Sequence, residues 1–136
     1  MNTRAFGSGR PVSLFTLGTM RALNSAAQMA EVLDAAAEAG INHLETAPAY
    51  GPAERFLGEA LRQNTRTGSD HWVITSKLLP GLSFEEGQRR LDQILERLGC
   101  PQLDNLAIHG INREEHLDWA LGGDGSKLLD WALTVS

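Results

Sequence analysis

The stretch Gly40-Ile-Asn-His-Leu-Glu-Thr-Ala-Pro-Ala-Tyr50-Gly-Pro-Ala-Glu-Arg-Phe-Leu-Gly58 decides how the rest of the chain is read. Gly40 suits the left-handed position that closes a helix. Ile41 to Leu44 then make a brief strand in which only Asn42 and His43 are polar. Thr46 to Gly51 read as a loop carrying Tyr50, the only tyrosine in the chain. Pro52 falls where a first helical turn tolerates proline. Ala53, Phe56, Leu57, Ala60 and Leu61 follow at helical spacing, which predicts a helix over 53–63. A charged group closing a strand, with a lone tyrosine in the loop beyond, is where barrel enzymes place their chemistry.

Toward the N-terminus, Gly7-Ser-Gly9 lies between Arg4-Ala-Phe6 and Pro11-Val-Ser13, which predicts a small hairpin. Leu14-Phe-Thr-Leu17 reads as a short buried strand ending in Gly18-Thr19-Met20. Ser25 with Gln28 makes a capping box, opening a helix over 26–39 with Met29, Val32, Leu33 and Ala36 on its apolar face. Toward the C-terminus, Asn64 to Asp70 is a polar loop and Trp72-Val-Ile-Thr-Ser-Lys77 a strand. Ser83 with Glu86 caps a helix over 84–98, whose face is Leu91, Ile94, Leu95 and Leu98 and whose stop is Gly99 and Pro101. Leu106-Ala-Ile108 is a fourth strand ending at His109. Asn112 with Glu115 predicts the cap of a last helical segment over 113–133, interrupted by Gly122-Gly-Asp-Gly125.

Strand and helix alternate four times, which argues for a parallel sheet with right-handed crossovers. The interval from Glu45 to Lys77 equals that from Lys77 to His109, and Gly18 to Glu45 is slightly shorter. No sequence repeat underlies this spacing, so the regularity is architectural. A doubly wound sheet shares the alternation, but Gly18-Thr-Met has no GxGxxG continuation. At 136 residues the chain is roughly half of a ~250-residue barrel. The expected fold is α/β: the N-terminal (β/α)4 half of a TIM-type barrel behind a short hairpin.

In parallel strands the C-terminal ends share one rim. Glu45, Tyr50, Lys77 and His109 therefore converge there. A carboxylate pairs with an ammonium, and an ammonium close to a phenol favours the phenolate. An imidazole can hydrogen-bond the same substrate oxygen. That set suits protonation of a carbonyl oxygen while another reagent attacks its carbon. Each residue alone has an ordinary structural reading; their occurrence at successive strand ends is what points to a site. His43 and His71 read as structural or exposed, and Trp72, Trp119 and Trp131 as packing.

Composition bounds the rest. Twelve basic against seventeen acidic residues give −5, which disfavours a nucleic-acid partner. The single Cys100 rules out an internal disulfide and fits a reducing compartment. No apolar run approaches the ~18 residues of a spanning helix, and no signal-peptide core opens the chain. A cytoplasmic setting with no membrane contact is expected.

With Leu17-Gly-Thr-Met20, the Tyr50-Gly-Pro-Ala-Glu54 segment followed by Leu57-Gly58, Thr75-Ser-Lys77 and Leu103-Asp-Asn-Leu-Ala-Ile-His109, the chain resembles the N-terminal half of the aldo-keto reductases. That resemblance implies an NADP-dependent oxidoreductase reducing a small aldehyde or ketone on a (β/α)8 barrel, with no metal. The family's tetrad is Asp, Tyr, Lys and His. Tyr50 matches its proton donor, Lys77 the activating partner and His109 the group orienting the carbonyl, while Glu45 stands in the Asp position, one methylene longer. Gly18, Thr19 and Met20 match the segment beside the nicotinamide ribose of NADPH, with Glu45 near it.

The resemblance also implies that residues 1–136 form a single incomplete barrel domain ending in helix four. Most of the cofactor's seat then lies beyond this chain, which alone is expected to show little or no activity. The alternative is a non-catalytic fragment serving as a structural or assembly unit. Open sheet edges favour self-association. With helices on the outer face only, the inward faces of Leu14 to Leu17, Ile41 to Leu44, Val73-Ile74 and Leu106 to Ile108 are expected to leave an exposed apolar patch.

Overall fold

Three helix boundaries are set by local chemistry that the sequence announces. In the computed structural model, which describes residues 2–7, 9–63 and 68–135, Ser25 accepts from the Gln28 N–H at 3.0 Å and opens α1 (Ala26–Glu38). Gly40 takes φ 81°, so its N–H reaches the Ala37 carbonyl and the Ile41 N–H the Ala36 carbonyl. Those paired bonds consume the orphan carbonyls of the last turn. Ser83 repeats the N-terminal device, accepting from Glu86 N–H at 3.1 Å, for α3 (Phe84–Leu98).

The elements run β1 (Thr3–Arg4), β2 (Val12–Ser13), β3 (Thr16–Gly18), α1, β4 (His43–Glu45), α2 (Ala53–Gln63), β5 (Val73–Leu78), α3, β6 (Asn105–Ile108), α4 (Glu114–Gly122) and α5 (Asp124–Thr134). β1 and β2 pair antiparallel as the expected hairpin. Of its predicted turn, Ser8 lies outside the described residues. β3 to β6 form a parallel sheet in sequence order with helices packed on one side, the architecture of half a barrel. Of the predicted 64–70 loop, residues 64–67 lie outside the described residues, and Ser69–His71 make one 3-10 turn.

β3, β4 and β5 start later than the apolar runs suggest, whereas β6 starts one residue earlier, at Asn105. Asn42 explains two of these shifts. Its side-chain oxygen accepts from Ser13 N–H at 2.7 Å, its N–H donates to Ser13 Oγ at 3.1 Å, and its amide donates to the Pro11 carbonyl at 3.0 Å. These bonds tie the hairpin to the sheet and stand in for ladder bonds, so β3–β4 pairing begins only at Thr16 and His43. Leu14 and Phe15, expected in a buried strand, are exposed ahead of it.

The last predicted cap is also corrected. α4 starts after Arg113, whose side chain makes no capping bond, and Asn112 is not its cap. Instead His116 reaches back and its Nδ1 accepts from the Asn112 N–H at 3.3 Å. The expected interruption falls at Gly123, which is extended (φ −104°, ψ −153°) and separates α4 from α5.

The core lies between sheet and helices. Leu17, Leu44 and Ile74 share one register across β3, β4 and β5, and they pack with Met29, Leu33, Leu57, Ile94, Leu98 and Leu128. Each such aliphatic side chain contributes ~1.5–3 kcal/mol by leaving water. Alternation sends the neighbouring residues to the other face, where Val73 and Ala107 lie among polar groups. That face carries a polar row: Thr16 Oγ1 and Thr75 Oγ1 each lie 2.8 Å from a ring nitrogen of buried His43, and Phe6 covers the imidazole. Every second residue of a barrel strand looks inward, and here Thr16, His43, Glu45, Thr75, Lys77 and Asn105 do so beside Gly18, Val73 and Ala107.

Candidate active site

The rim is built where that polar face meets the strand ends. Glu45 is the last residue of β4, Lys77 the penultimate residue of β5, and His109 follows β6 directly. Backbone bonds set their heights: Thr19 N–H donates to the Glu45 carbonyl, Thr46 N–H to the Thr75 carbonyl, and His109 N–H to the Leu78 carbonyl at 2.8 Å. Gly51, at φ 56°, turns the loop so that Tyr50 leans back over the sheet before α2 begins.

Lys77 is the hub. Its Nζ donates to the Tyr50 hydroxyl at 2.8 Å and to the Thr46 carbonyl at 3.2 Å, and forms an ion pair with Glu45 Oε1. Its three ammonium hydrogens are thereby all placed. Nζ also stands 4.5 Å from the Tyr50 ring centroid. Only 12% of the side chain is exposed, and burial pushes the Lys77 ammonium below the ordinary lysine range. The Tyr50 hydroxyl is 3.5 Å from Glu45 Oε1, too long for a strong bond. The phenol thus receives a bond from Lys77 and keeps its own proton for another acceptor.

His109 meets Tyr50 edge to face, ring centroids 5.7 Å apart. Burial first, and then the Lys77 cation, lower its pKa below the usual histidine value. A neutral imidazole beside a cation can offer one N–H without adding charge. The four residues predicted from strand ends are therefore brought together.

Of the predicted cofactor segment, Gly18 and Met20 are exposed, whereas the Thr19 side chain is buried and donates to Thr46 Oγ1 at 2.8 Å. A Cβ at Gly18 would stand 3.6 Å from Glu45 Oε2. A side chain there would sit in contact with the carboxylate oxygen that Lys77 leaves open. Among the described residues no group of three or more His, Cys, Asp or Glu could hold a metal ion.

Sequence reasoning missed Glu54 as a structural group. It is 1% exposed in the apolar face of α2, accepting from Ser76 Oγ at 2.7 Å and from Arg97 Nε at 2.7 Å. The signal was present: Glu54 shares a helical stripe with Ala53, Leu57 and Gly58, where a carboxylate needs partners.

With this geometry in place, similarity to known proteins becomes informative. The model of the aldo/keto reductase family matches residues 14–124. The chain belongs to the aldo-keto reductase family. An aldo-keto reductase of Mycolicibacterium vanbaalenii is 32% identical over 97 residues, covering 71% of this chain and 31% of the relative. Pyridoxal 4-dehydrogenase of Microbacterium luteolum is 29% identical, covering 85% of this chain and 45% of that protein. A solved Pseudomonas aeruginosa protein assigned as an aldo-keto reductase superposes with a TM-score of 0.81 at 30% identity, over 95% of this chain and 53% of that one. The chain thus spans 31–53% of the length of these relatives.

Aldo-keto reductases generally use NAD(P)H. The residues present fit the nicotinamide end of such a cofactor: a side-chain-free, exposed Gly18 beside an open carboxylate oxygen of Glu45 leaves room and an acceptor for a ribose hydroxyl. No helix among the described residues is long and apolar enough to cross a membrane.

Proposed function

We propose that this rim serves the NADP-dependent reduction of a small aldehyde or ketone to an alcohol, in the cytoplasm. The observation that carries the reading is the Lys77 Nζ to Tyr50 hydroxyl bond of 2.8 Å, with Glu45 and His109 against the same pair. NADPH, when bound, supplies the hydride that reduces the carbonyl carbon. Tyr50 gives its proton to the carbonyl oxygen as the C=O π bond breaks. The phenolate left behind is held by the Lys77 ammonium, which stabilises charge where it develops. Glu45 fixes the Lys77 side chain, its extra methylene reaching back to Nζ. His109 donates to the substrate oxygen and orients it toward Tyr50. Water returns a proton to Tyr50 when the alcohol leaves.

The test is addition of NADPH and a panel of small aldehydes to the folded chain. Expected are quenching of tryptophan fluorescence and slow, aldehyde-dependent loss of absorbance at 340 nm. A folded chain giving neither supports the second reading, a structural or assembly unit.

One observation favours that second reading: among the described residues β3 and β6 pair on one side only. Unpaired edges template association, so self-association through them belongs to the proposal. Sedimentation at low micromolar concentration checks it; dimers or larger species are expected, and a compact monomer near 14.8 kDa would contradict it.

A further inference from the structure

We propose that buried Glu54 is a positioning residue that sets the Tyr50–Lys77 contact by clamping α2 to β5 and α3. The inference rests on the reading above only for what Tyr50 and Lys77 do. Glu54 lies one helical turn past Tyr50, and Ser76 immediately precedes Lys77 on β5. One carboxylate therefore binds both segments: Oε1 accepts from Ser76 Oγ at 2.7 Å, and Oε2 accepts from Arg97 Nε at 2.7 Å. Ser76 and Glu54 are 0% and 1% exposed, so water cannot replace a lost partner cheaply.

A second observation shows how little slack the clamp has. Gly58 is one further turn along the same face of α2, and a Cβ there would lie 2.1 Å from the Arg97 carbonyl oxygen. The backbones of α2 and α3 touch at that point. Arg97 thus meets α2 twice, by main chain at Gly58 and by guanidinium at Glu54. Ser76 and Lys77 point to opposite faces of β5. Holding Ser76 on the helix side consequently fixes where Lys77 emerges on the rim. Without the clamp the rim groups remain present, but Nζ no longer has a fixed place over the Tyr50 ring.

The chain offers a clean probe, because Lys77 and Lys127 are its only lysines and Tyr50 its only tyrosine. The Tyr50 ring current moves the Lys77 side-chain NMR signals upfield of those of exposed Lys127. The experiment records 13C-lysine spectra of wild type, Glu54→Gln and Ser76→Ala, with far-UV circular dichroism to establish folding. Glu54→Gln keeps volume and one acceptor but loses the charge on Arg97; Ser76→Ala removes only a hydroxyl. The expected result is that the Lys77 signals move toward the Lys127 position in both variants while Lys127 stays put. If Glu54→Gln fails to fold, Ser76→Ala decides alone. Folded variants that keep the wild-type Lys77 shift overturn the clamp and leave the proposed function standing. A wild-type Lys77 without any ring-current shift overturns the Tyr50–Lys77 contact itself, and both proposals with it.

Discussion

The two faces of the parallel sheet obey different rules. The helix-side face is mostly aliphatic, interrupted by the Ser76–Glu54–Arg97 contacts: Leu44 and Ile74 pack with Leu33, Leu57, Ile94 and Leu98. The opposite face carries polar groups from Thr16 and His43, through Thr75, to the rim of Glu45 and Lys77. One face stabilises by removing hydrocarbon from water. The other spends part of that stability on holding polar groups in fixed geometry. Side chains only one residue apart along β4 or β5 therefore answer to different constraints, and substitutions on the two faces should be separable by what they damage.

The largest expected effect is on the helix-side face. Leu33 is fully buried among α1, α2 and sheet residues, so Leu33→Ala removes contacts and leaves a cavity. A loss of about 2–5 kcal/mol is expected in urea unfolding. A loss below about 1 kcal/mol would show that this face does not carry the fold.

A smaller effect is expected from acid, acting on the polar face. Burial lowers the pKa of His43, partly offset by the charge of Asp104. The unfolded chain then binds more protons than the folded one once pH falls below the ordinary histidine value of about 6.5. Stability is accordingly full above that value and declines below it, until His43 also titrates in the fold. His109 shifts in the same direction and adds to the decline. The urea midpoint should be lower at pH 5.5 than at pH 7.5. A midpoint that rises on acidification would mean that His43 is stabilised as the cation.

How much of this was legible in the sequence differs between the same two faces. The helix-side face was readable because Met29, Leu33, Leu57, Leu91, Ile94 and Leu98 recur at helical spacing, and because Ser25, Gly40 and Ser83 act within a few residues of themselves. The rim was readable because Glu45, Lys77 and His109 occupy matching places at strand ends. The polar interior was not, since Thr16, His43 and Thr75 meet only through β3–β4–β5 register, which no local pattern encodes. Asn42 likewise delays two strands through bonds to Ser13 and Pro11, about thirty residues away. Glu54 was visible as a motif residue, but its partners Ser76 and Arg97 become neighbours only when α2, β5 and α3 pack.

The smallest expected effect on stability, and the largest on chemistry, belongs to Tyr50. Tyr50→Phe removes one half-buried hydroxyl and keeps the ring over Lys77, so unfolding free energy should stay within about 1 kcal/mol of wild type. The decisive measurement is aldehyde-dependent NADPH oxidation by equal amounts of folded wild type and Tyr50→Phe. The account predicts slow turnover in the wild type and none above background in the variant. Equal turnover in the two would contradict it, because the proton would then come from somewhere other than the one phenol in the chain.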